Sequence, residues 1–110
     1  MASNNRQTIS IPTIILLSMF VSSILGQDES AKKYLEKAHR GDANAQYTLG
    51  ILYGDGLGVS QDYIEAYMWT SLAIAQMTGE KQDLAISVRN VIAKHMTKEQ
   101  IAKARHLVHK

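Results

Sequence analysis

The sequence contains no cysteine and a single proline, and both shortages narrow what the chain can be. Without cysteine it cannot form disulfides, thiolate zinc sites or a cysteine nucleophile, and it has no cysteine to carry a lipid anchor. Pro12 lies near the N-terminus, so no later residue forbids a long helix. A small exported domain without disulfides is stabilised by its hydrophobic core alone, so we expect modest stability.

Aromatic residues and excess charge are also scarce. Aromatics make up 6% of the 110 residues and are mostly tyrosine, whereas alanine is common, a mixture that favours helices over a β-sandwich. The net charge is only +2. The densest basic cluster, Lys32, Lys33 and Lys37, is interrupted by Glu36. A nucleic-acid-binding domain usually has a denser basic face, so we predict no nucleic-acid partner.

The first 26 residues have the pattern of a secretory signal peptide. Residues 1–8 are polar and include Arg6, residues 9–25 are apolar, and no charged residue lies between Arg6 and Asp28. We predict cleavage after Gly26, because a polar stretch follows directly. The protein is then secreted or periplasmic, and the nearly neutral domain that remains has no electrostatic reason to bind membranes.

An uncleaved membrane anchor is the alternative for this segment. Its apolar stretch of 17 residues is interrupted by Pro12 and by several serines and threonines. A membrane-spanning helix needs about 20 mostly apolar residues, which makes cleavage the favoured interpretation.

From residue 29 onward, apolar residues recur with the spacing of amphipathic helices. Five helices and no strand pattern predict an all-α fold. The predicted inward faces are Ala31, Tyr34, Leu35 and Ala38; Ala45, Leu49, Leu52 and Tyr53; Ala66, Trp69, Leu72 and Ala73; Leu84, Val88, Val91 and Ile92; and Ile101, Ala104, Leu107 and Val108.

Glycines and capping residues separate these helices. Gly41 is expected to end the first helix and Asp42 to cap the second. Three glycines within residues 54–58 permit positive φ angles and a tight reversal. Gly79 is expected to end the third segment, and the fourth helix is predicted over residues 81–95.

Two later helix starts resemble capping boxes. Asp62 is followed three residues later by Glu65, and Thr97 by Gln100. The second box is flanked by Met96 and Ile101, which are spaced to form a hydrophobic staple.

An internal repeat supports a helical solenoid. Residues 34–38 and 69–73 match in their aromatic and alanine positions at a separation of 35 residues, and each is followed by a glycine and another helix. Such a period is typical of antiparallel helix-pair repeats.

Residues 41–75 resemble a Sel1-like (tetratricopeptide-like) repeat. Residues 43–53 (ANAQYTLGILY) look like its first helix, residues 54–59 (GDGLGV) look like its glycine loop, and QDY with AYMW look like its second helix. The resemblance implies a short α-solenoid of antiparallel helix pairs. The residues that it implies are structural are Ala45, Leu49, Gly50, Tyr53, Gly56, Gly58, Ala66, Trp69 and Ala73.

The same resemblance gives the domain boundaries. Residues 1–26 are the signal peptide, and residues 27–110 form the repeat domain. Within it, residues 27–41 are a partial repeat, residues 42–79 a complete one, and residues 80–110 the C-terminal capping helices, with residues 96–104 resembling a closing helix of exported members.

The family resemblance implies an interaction module or adaptor that binds another protein or peptide. Tyr47, Tyr63 and Tyr67 are the candidate partner-binding residues. Tyr47 and Tyr67 are expected to lie off the main buried stripes of their helices. Aromatic side chains of this kind often anchor an interface.

Catalytic, cofactor and metal motifs are missing, so we predict no enzyme activity, no cofactor and no metal site. His106 and His109 share one helix face, but solvated histidines complementing the helix dipole explain them better than a metal. The Arg-Gly-Asp tripeptide at 40–42 coincides with a helix stop and a cap. The glycine loop at 54–58 lacks the features of a phosphate or calcium loop.

Three alternatives stay open at this stage. The first is a cell-envelope enzyme or enzyme inhibitor, since some exported Sel1-like relatives are linked to β-lactams, although those chains are rich in disulfides. The second is a membrane-anchored form of the same module. The third is a stand-alone fragment with a structural or vestigial role. An open apolar groove would favour binding, and a closed pocket with converging charges would favour an enzyme.

Overall fold

The computed structural model describes residues 31–110, so the predicted signal peptide and its cleavage site lie outside the described residues. Within this range the chain forms five helices and no strand: α1 at residues 31–39, α2 at Ala43–Asp55, α3 at Tyr63–Gln76, α4 at Gly79–Ala93 and α5 at Lys98–Val108. Helix α3 packs against α2, α4 and α5, and this all-helical arrangement confirms the predicted all-α solenoid. In this part of the chain, no helix is long and apolar enough to span a bilayer.

The turn between α1 and α2 forms as the sequence predicts. Gly41 has a φ of 96°, a conformation that L-residues avoid, and it lies two residues after the end of α1. The Asp42 carboxylate accepts a hydrogen bond from the Ala45 backbone N–H at 2.9 Å and caps α2. The Arg-Gly-Asp tripeptide is therefore explained by this turn.

The glycine loop connects α2 to α3, but α2 continues two residues further than Tyr53, the predicted end. It ends at Asp55, and Gly56 follows with a φ of 68°, its N–H donating to the Leu52 carbonyl. Gly58 also has a positive φ, of 75°. The left-handed conformation at both positions turns the chain back along α2.

Close approach of α2 and α3 forms the centre of the fold. A Cβ added at Gly50 would come within 2.1 Å of the Thr70 hydroxyl oxygen, so only glycine fits there. Thr70 is fully buried, and its hydroxyl donates to the Ala66 carbonyl at 2.7 Å. The short distance between the two backbones brings the larger side chains of these helices into contact.

Three clusters of buried residues make up the core. The first joins α1, α2 and α3, the second joins α3, α4 and α5, and the third links the end of α3 to α4. Their buried members are, in the same order, Ala38, Ala45, Leu49 and Trp69; Ala66, Tyr67, Ile92 and Ala104; and Ala73, Met77 and Ala85. Helix α3 contributes to all three and is the central helix of the domain.

A buried polar chain links the first three helices, and the sequence did not indicate it. Gln46 is 95% buried. Its amide N–H donates to the Ala38 carbonyl at 3.1 Å, and its side-chain oxygen accepts a hydrogen bond from Gln76 at 2.8 Å. Because the Gln46 amide is satisfied on both sides, its burial costs little.

The predicted inward face of α4 was partly wrong. Val88 and Ile92 do face the core, but Leu84 and Val91 are 57% and 55% exposed. Ala85 is fully buried instead, because its small side chain lets α4 lie close to α3. The helix is thus rotated, and two large apolar side chains lie on the surface.

Two predicted helix boundaries also need correction. Gly79 does not end the third segment; Met77 and Thr78 are extended, and Gly79 is the first residue of α4. The Asp62 carboxylate caps α3 through two backbone N–H groups, but Glu65 does not complete a capping box. The Glu65 carboxylate accepts from the Trp69 indole N–H at 3.1 Å instead.

The start of α5 confirms the second predicted capping box. The Thr97 hydroxyl accepts from the Gln100 N–H at 3.1 Å, and the Gln100 side chain accepts from the Thr97 N–H at 2.9 Å. Met96 and Ile101 both pack against the second core cluster, as a hydrophobic staple requires.

Candidate partner-binding groove

An apolar groove of about 380 Å³ lies between α2 and α4. Both helices pack against α3, and they barely touch each other. Their C-terminal halves lie side by side, because a Cβ at Gly54 would lie 3.7 Å from the Ile92 side chain. The groove is lined by Gly50, Ile51, Gly54 and Asp55 of α2 and by Ser87, Val88, Val91 and Ile92 of α4.

The α4 side of the groove carries an exposed apolar stripe. Leu84, Val88 and Val91 follow the i, i+4, i+7 spacing of one helix face, and more than half of the Leu84 and Val91 side chains is exposed. Tyr47 and Ile51 lie four residues apart on one face of α2, and Ile51 lines the groove. Apolar side chains thus form both walls, which suits the apolar face of a peptide or helix.

Charge is sparse in the groove. Asp55, the last residue of α2, is the charged residue among those lining it in the described chain. It lies beside the C-terminal end of the α2 dipole, which also carries partial negative charge. A ligand with apolar side chains and a positive group at this end would match the surface.

The three tyrosines predicted to bind a partner do not share one groove. Tyr47 is half-buried and packs against the third core cluster, on the face of α2 that continues to Ile51. Tyr63 stacks on the His95 ring, with centroids 5.2 Å apart and planes 9° apart, and its hydroxyl accepts a hydrogen bond from Gln61 at 2.7 Å. Of these three tyrosines, Tyr47 lies on a helix that lines the groove, one helical turn before Ile51.

The predicted position of Tyr67 off the buried stripe was wrong. Its side chain is 95% buried in the second core cluster, next to Ile92 and Ala104. Helix α3 packs against α4 and α5 as well as against α2, so more than one face of this helix is buried. Whether Tyr67 contributes to partner binding stays a prediction.

Sequence reasoning missed the exposed apolar residues of α4 as a site. The signal was present, because residues 84–92 contain more apolar side chains than one buried stripe of a helix requires. Which of them point outward depends on the packing of α4 against α3, and that is not encoded locally.

No three metal-ligating side chains of residues 31–110 converge on one point. His106 lies in the last turn of α5, where a cation complements the helix dipole, and His109 is its C-cap.

Comparison with known proteins agrees with this geometry. Residues 43–76 match the Sel1 repeat family. This segment is thus similar to one Sel1 repeat. No curated protein and no solved structure matches the chain.

The Sel1-like repeat coincides with α2, the glycine loop and α3. Sel1 repeats generally mediate protein–protein interactions. Helix α4 follows the repeat and forms the second wall of the groove, so the groove lies at the border between the repeat and the helices after it.

Proposed function

We propose that this protein is an exported Sel1-like adaptor that binds another protein through the groove between α2 and α4. The observation that carries the proposal is the exposed Val91 side chain on the wall of an apolar groove, with the exposed Leu84 side chain two turns earlier on the same face of α4. Large apolar side chains exposed together next to a concave surface are typical of partner-binding sites.

The proposed partner segment is short, apolar and basic at one end. The groove lies between two neighbouring helices, so it has room for one peptide strand or for one face of a helix. Ile51, Val88 and Val91 would contact apolar side chains of the partner, and Asp55 would pair with the basic group.

Site-specific photocrosslinking in the producing cells tests the groove. A photoreactive amino acid at position 84 should crosslink to a discrete partner, because Leu84 is exposed beside the groove. The matched control is position 102, which is exposed on α5. Crosslinking to the same partner with equal yield at both positions would contradict a groove-specific contact.

Export is a separate part of the proposal and rests on the sequence of residues 1–26. N-terminal sequencing of protein recovered from the periplasm or medium should begin near Gln27. An intact Met1 on a protein confined to the cytosol would contradict export without affecting the groove.

A further inference from the structure

A second cavity, of about 340 Å³, lies in the wedge between α3, α4 and α5. It is separate from the groove, because no residue lines both. Its walls combine arginines with apolar side chains and with the edge of the Tyr67 ring. The cavity plays no part in the proposed protein binding.

Arg89 is held in a fixed position at this cavity. Its guanidinium carbon lies 5.5 Å from the Tyr67 ring centroid, and one of its terminal nitrogens donates to the Ser71 hydroxyl at 3.3 Å. Arg89 is half-buried, and these contacts use one N–H of the guanidinium group. Within the described range this is the hydrogen bond of the Arg89 guanidinium group, so its other N–H groups can donate to a ligand in the cavity.

A second arginine, Arg105 of α5, lines the same cavity. Within residues 31–110 no carboxylate lines the cavity. Two cations facing one space repel each other, and a bound anion would relieve the repulsion. The Ser71 hydroxyl, which accepts from Arg89, also lines the cavity.

His109, the C-cap of α5, also lines the cavity, and the remaining walls are largely apolar. Ile74 and Val108 line the cavity, and Tyr67 contributes a ring that is 95% buried. The volume lies within the range of sites for small organic ligands.

We propose that this cavity binds a small carboxylate that carries a short apolar group. Arg89 and Arg105 take the carboxylate, since the planar guanidinium group donates two parallel hydrogen bonds to it. Ile74, Val108 and the Tyr67 ring surround the apolar group. An inorganic anion alone would leave the apolar walls uncovered, and a neutral analogue would leave both arginines unpaired.

Calorimetric titration of the protein, as its cell produces it, tests the proposal with hexanoate, hexanamide and inorganic phosphate. We expect saturable 1:1 binding of hexanoate, with hexanamide and phosphate each at least about tenfold weaker. Amide NMR shifts on hexanoate addition should concentrate in α3 and α5 around the cavity. Equal binding of hexanoate and hexanamide would overturn the proposal, as would no binding of hexanoate.

Charge-removing variants locate the site. Arg105 is exposed, so Arg105→Gln should keep the fold and weaken hexanoate binding at least about tenfold. Arg89→Gln should weaken it similarly, and Arg105→Gln remains decisive if Arg89→Gln fails to fold. The matched control, Arg40→Gln in the α1–α2 turn, should bind as the wild type does. Equal losses in Arg40→Gln and Arg105→Gln would show a general charge effect and refute the site.

Discussion

At the scale of single residues, Trp69 combines apolar packing, a hydrogen bond and an aromatic contact in the core. It is 95% buried, its indole N–H donates to Glu65, and its ring lies nearly perpendicular to the His39 ring with the centroids 5.2 Å apart. It packs with Ala45 and Leu49, so it joins α3 to α2. Its burial was predicted from the sequence by helical spacing alone.

Replacing Trp69 should therefore destabilise the domain severely. Trp69→Ala leaves a cavity between α2 and α3 and should lower the free energy of unfolding by about 3–5 kcal/mol. A small domain has little more than that in total, so we expect an unfolded or aggregated variant. Circular dichroism during a urea or thermal melt measures the loss. A melting curve identical to that of the wild type would contradict the burial of this side chain.

Ionisation of the Tyr53 phenol makes the stability of the domain depend on pH in the alkaline range. Burial raises the pKa of its phenol, and the negative charges of Glu65 and Asp62 raise it further. The folded protein thus holds this proton more tightly than the unfolded chain. Tyr53 makes its full contribution below the unfolded pKa of about 10, and the contribution is lost as the pH rises above that value.

Substitution of Tyr53 by phenylalanine isolates this effect, since phenylalanine cannot ionise. We expect the free energy of unfolding of Tyr53→Phe to fall less than that of the wild type between about pH 8 and pH 11. Urea titrations at both pH values give the two differences. Parallel losses in the two proteins would show that Tyr53 is as solvated in the folded state as in the unfolded one.

At the scale of helices, Gly50 and Gly54 of α2 differ in the space that a side chain would have. A Cβ at Gly50 would overlap the Thr70 hydroxyl, whereas a Cβ at Gly54 would meet its nearest neighbour, Ile92, at an ordinary 3.7 Å. Gly50 is thus required for helix packing. Gly54 gives α2 a poor helix former where alanine would fit.

The two alanine substitutions should therefore change stability in opposite directions. Gly50→Ala forces α2 away from α3 and should cost about 1–3 kcal/mol. Gly54→Ala should stabilise the domain by up to about 1 kcal/mol, because alanine favours the helix. Chemical denaturation of both variants measures the contrast. Stabilisation by Gly50→Ala would mean that α2 and α3 are farther apart than described.

The ends of the helices could be predicted from the sequence better than the face that each helix buries. Helix ends that depend on local chemistry, such as Asp42 and Thr97, were predicted correctly because a cap contacts residues within one turn. The face of α4 was predicted incorrectly, since its apolar residues allow more than one rotation. Burial of Ala85 decides the rotation, and it depends on α3, a different part of the chain.

The burial of Tyr67 and the arginine-lined cavity could not be predicted for a related reason. Tyr67 follows Ala66 directly, so two adjacent residues of α3 are buried at once. A single amphipathic stripe does not show this, because it appears only when a helix is covered on several sides. Arg89 and Arg105 lie on different helices, and only tertiary packing brings them to one cavity.

At the scale of the whole molecule, one Sel1-like repeat is completed by the helices around it. Helix α1 covers one end of the α2–α3 pair through Ala38, and α4 and α5 cover the other through Ile92 and Ala104. A helix pair cannot bury its apolar faces alone, so these flanking helices supply the neighbours that further repeats would supply in a longer solenoid. The arrangement leaves the groove between α2 and α4 as the open apolar surface.

The affinity of the Val91→Glu variant for the crosslinked partner tests most directly whether this groove binds that partner. Val91 is 55% exposed, so the substitution should leave the melting curve nearly unchanged while placing a charge on the apolar wall. We predict at least about tenfold weaker binding. The matched control is Asn90→Glu, which adds the same charge at the neighbouring exposed position and should bind like the wild type. Wild-type affinity of Val91→Glu would contradict the account.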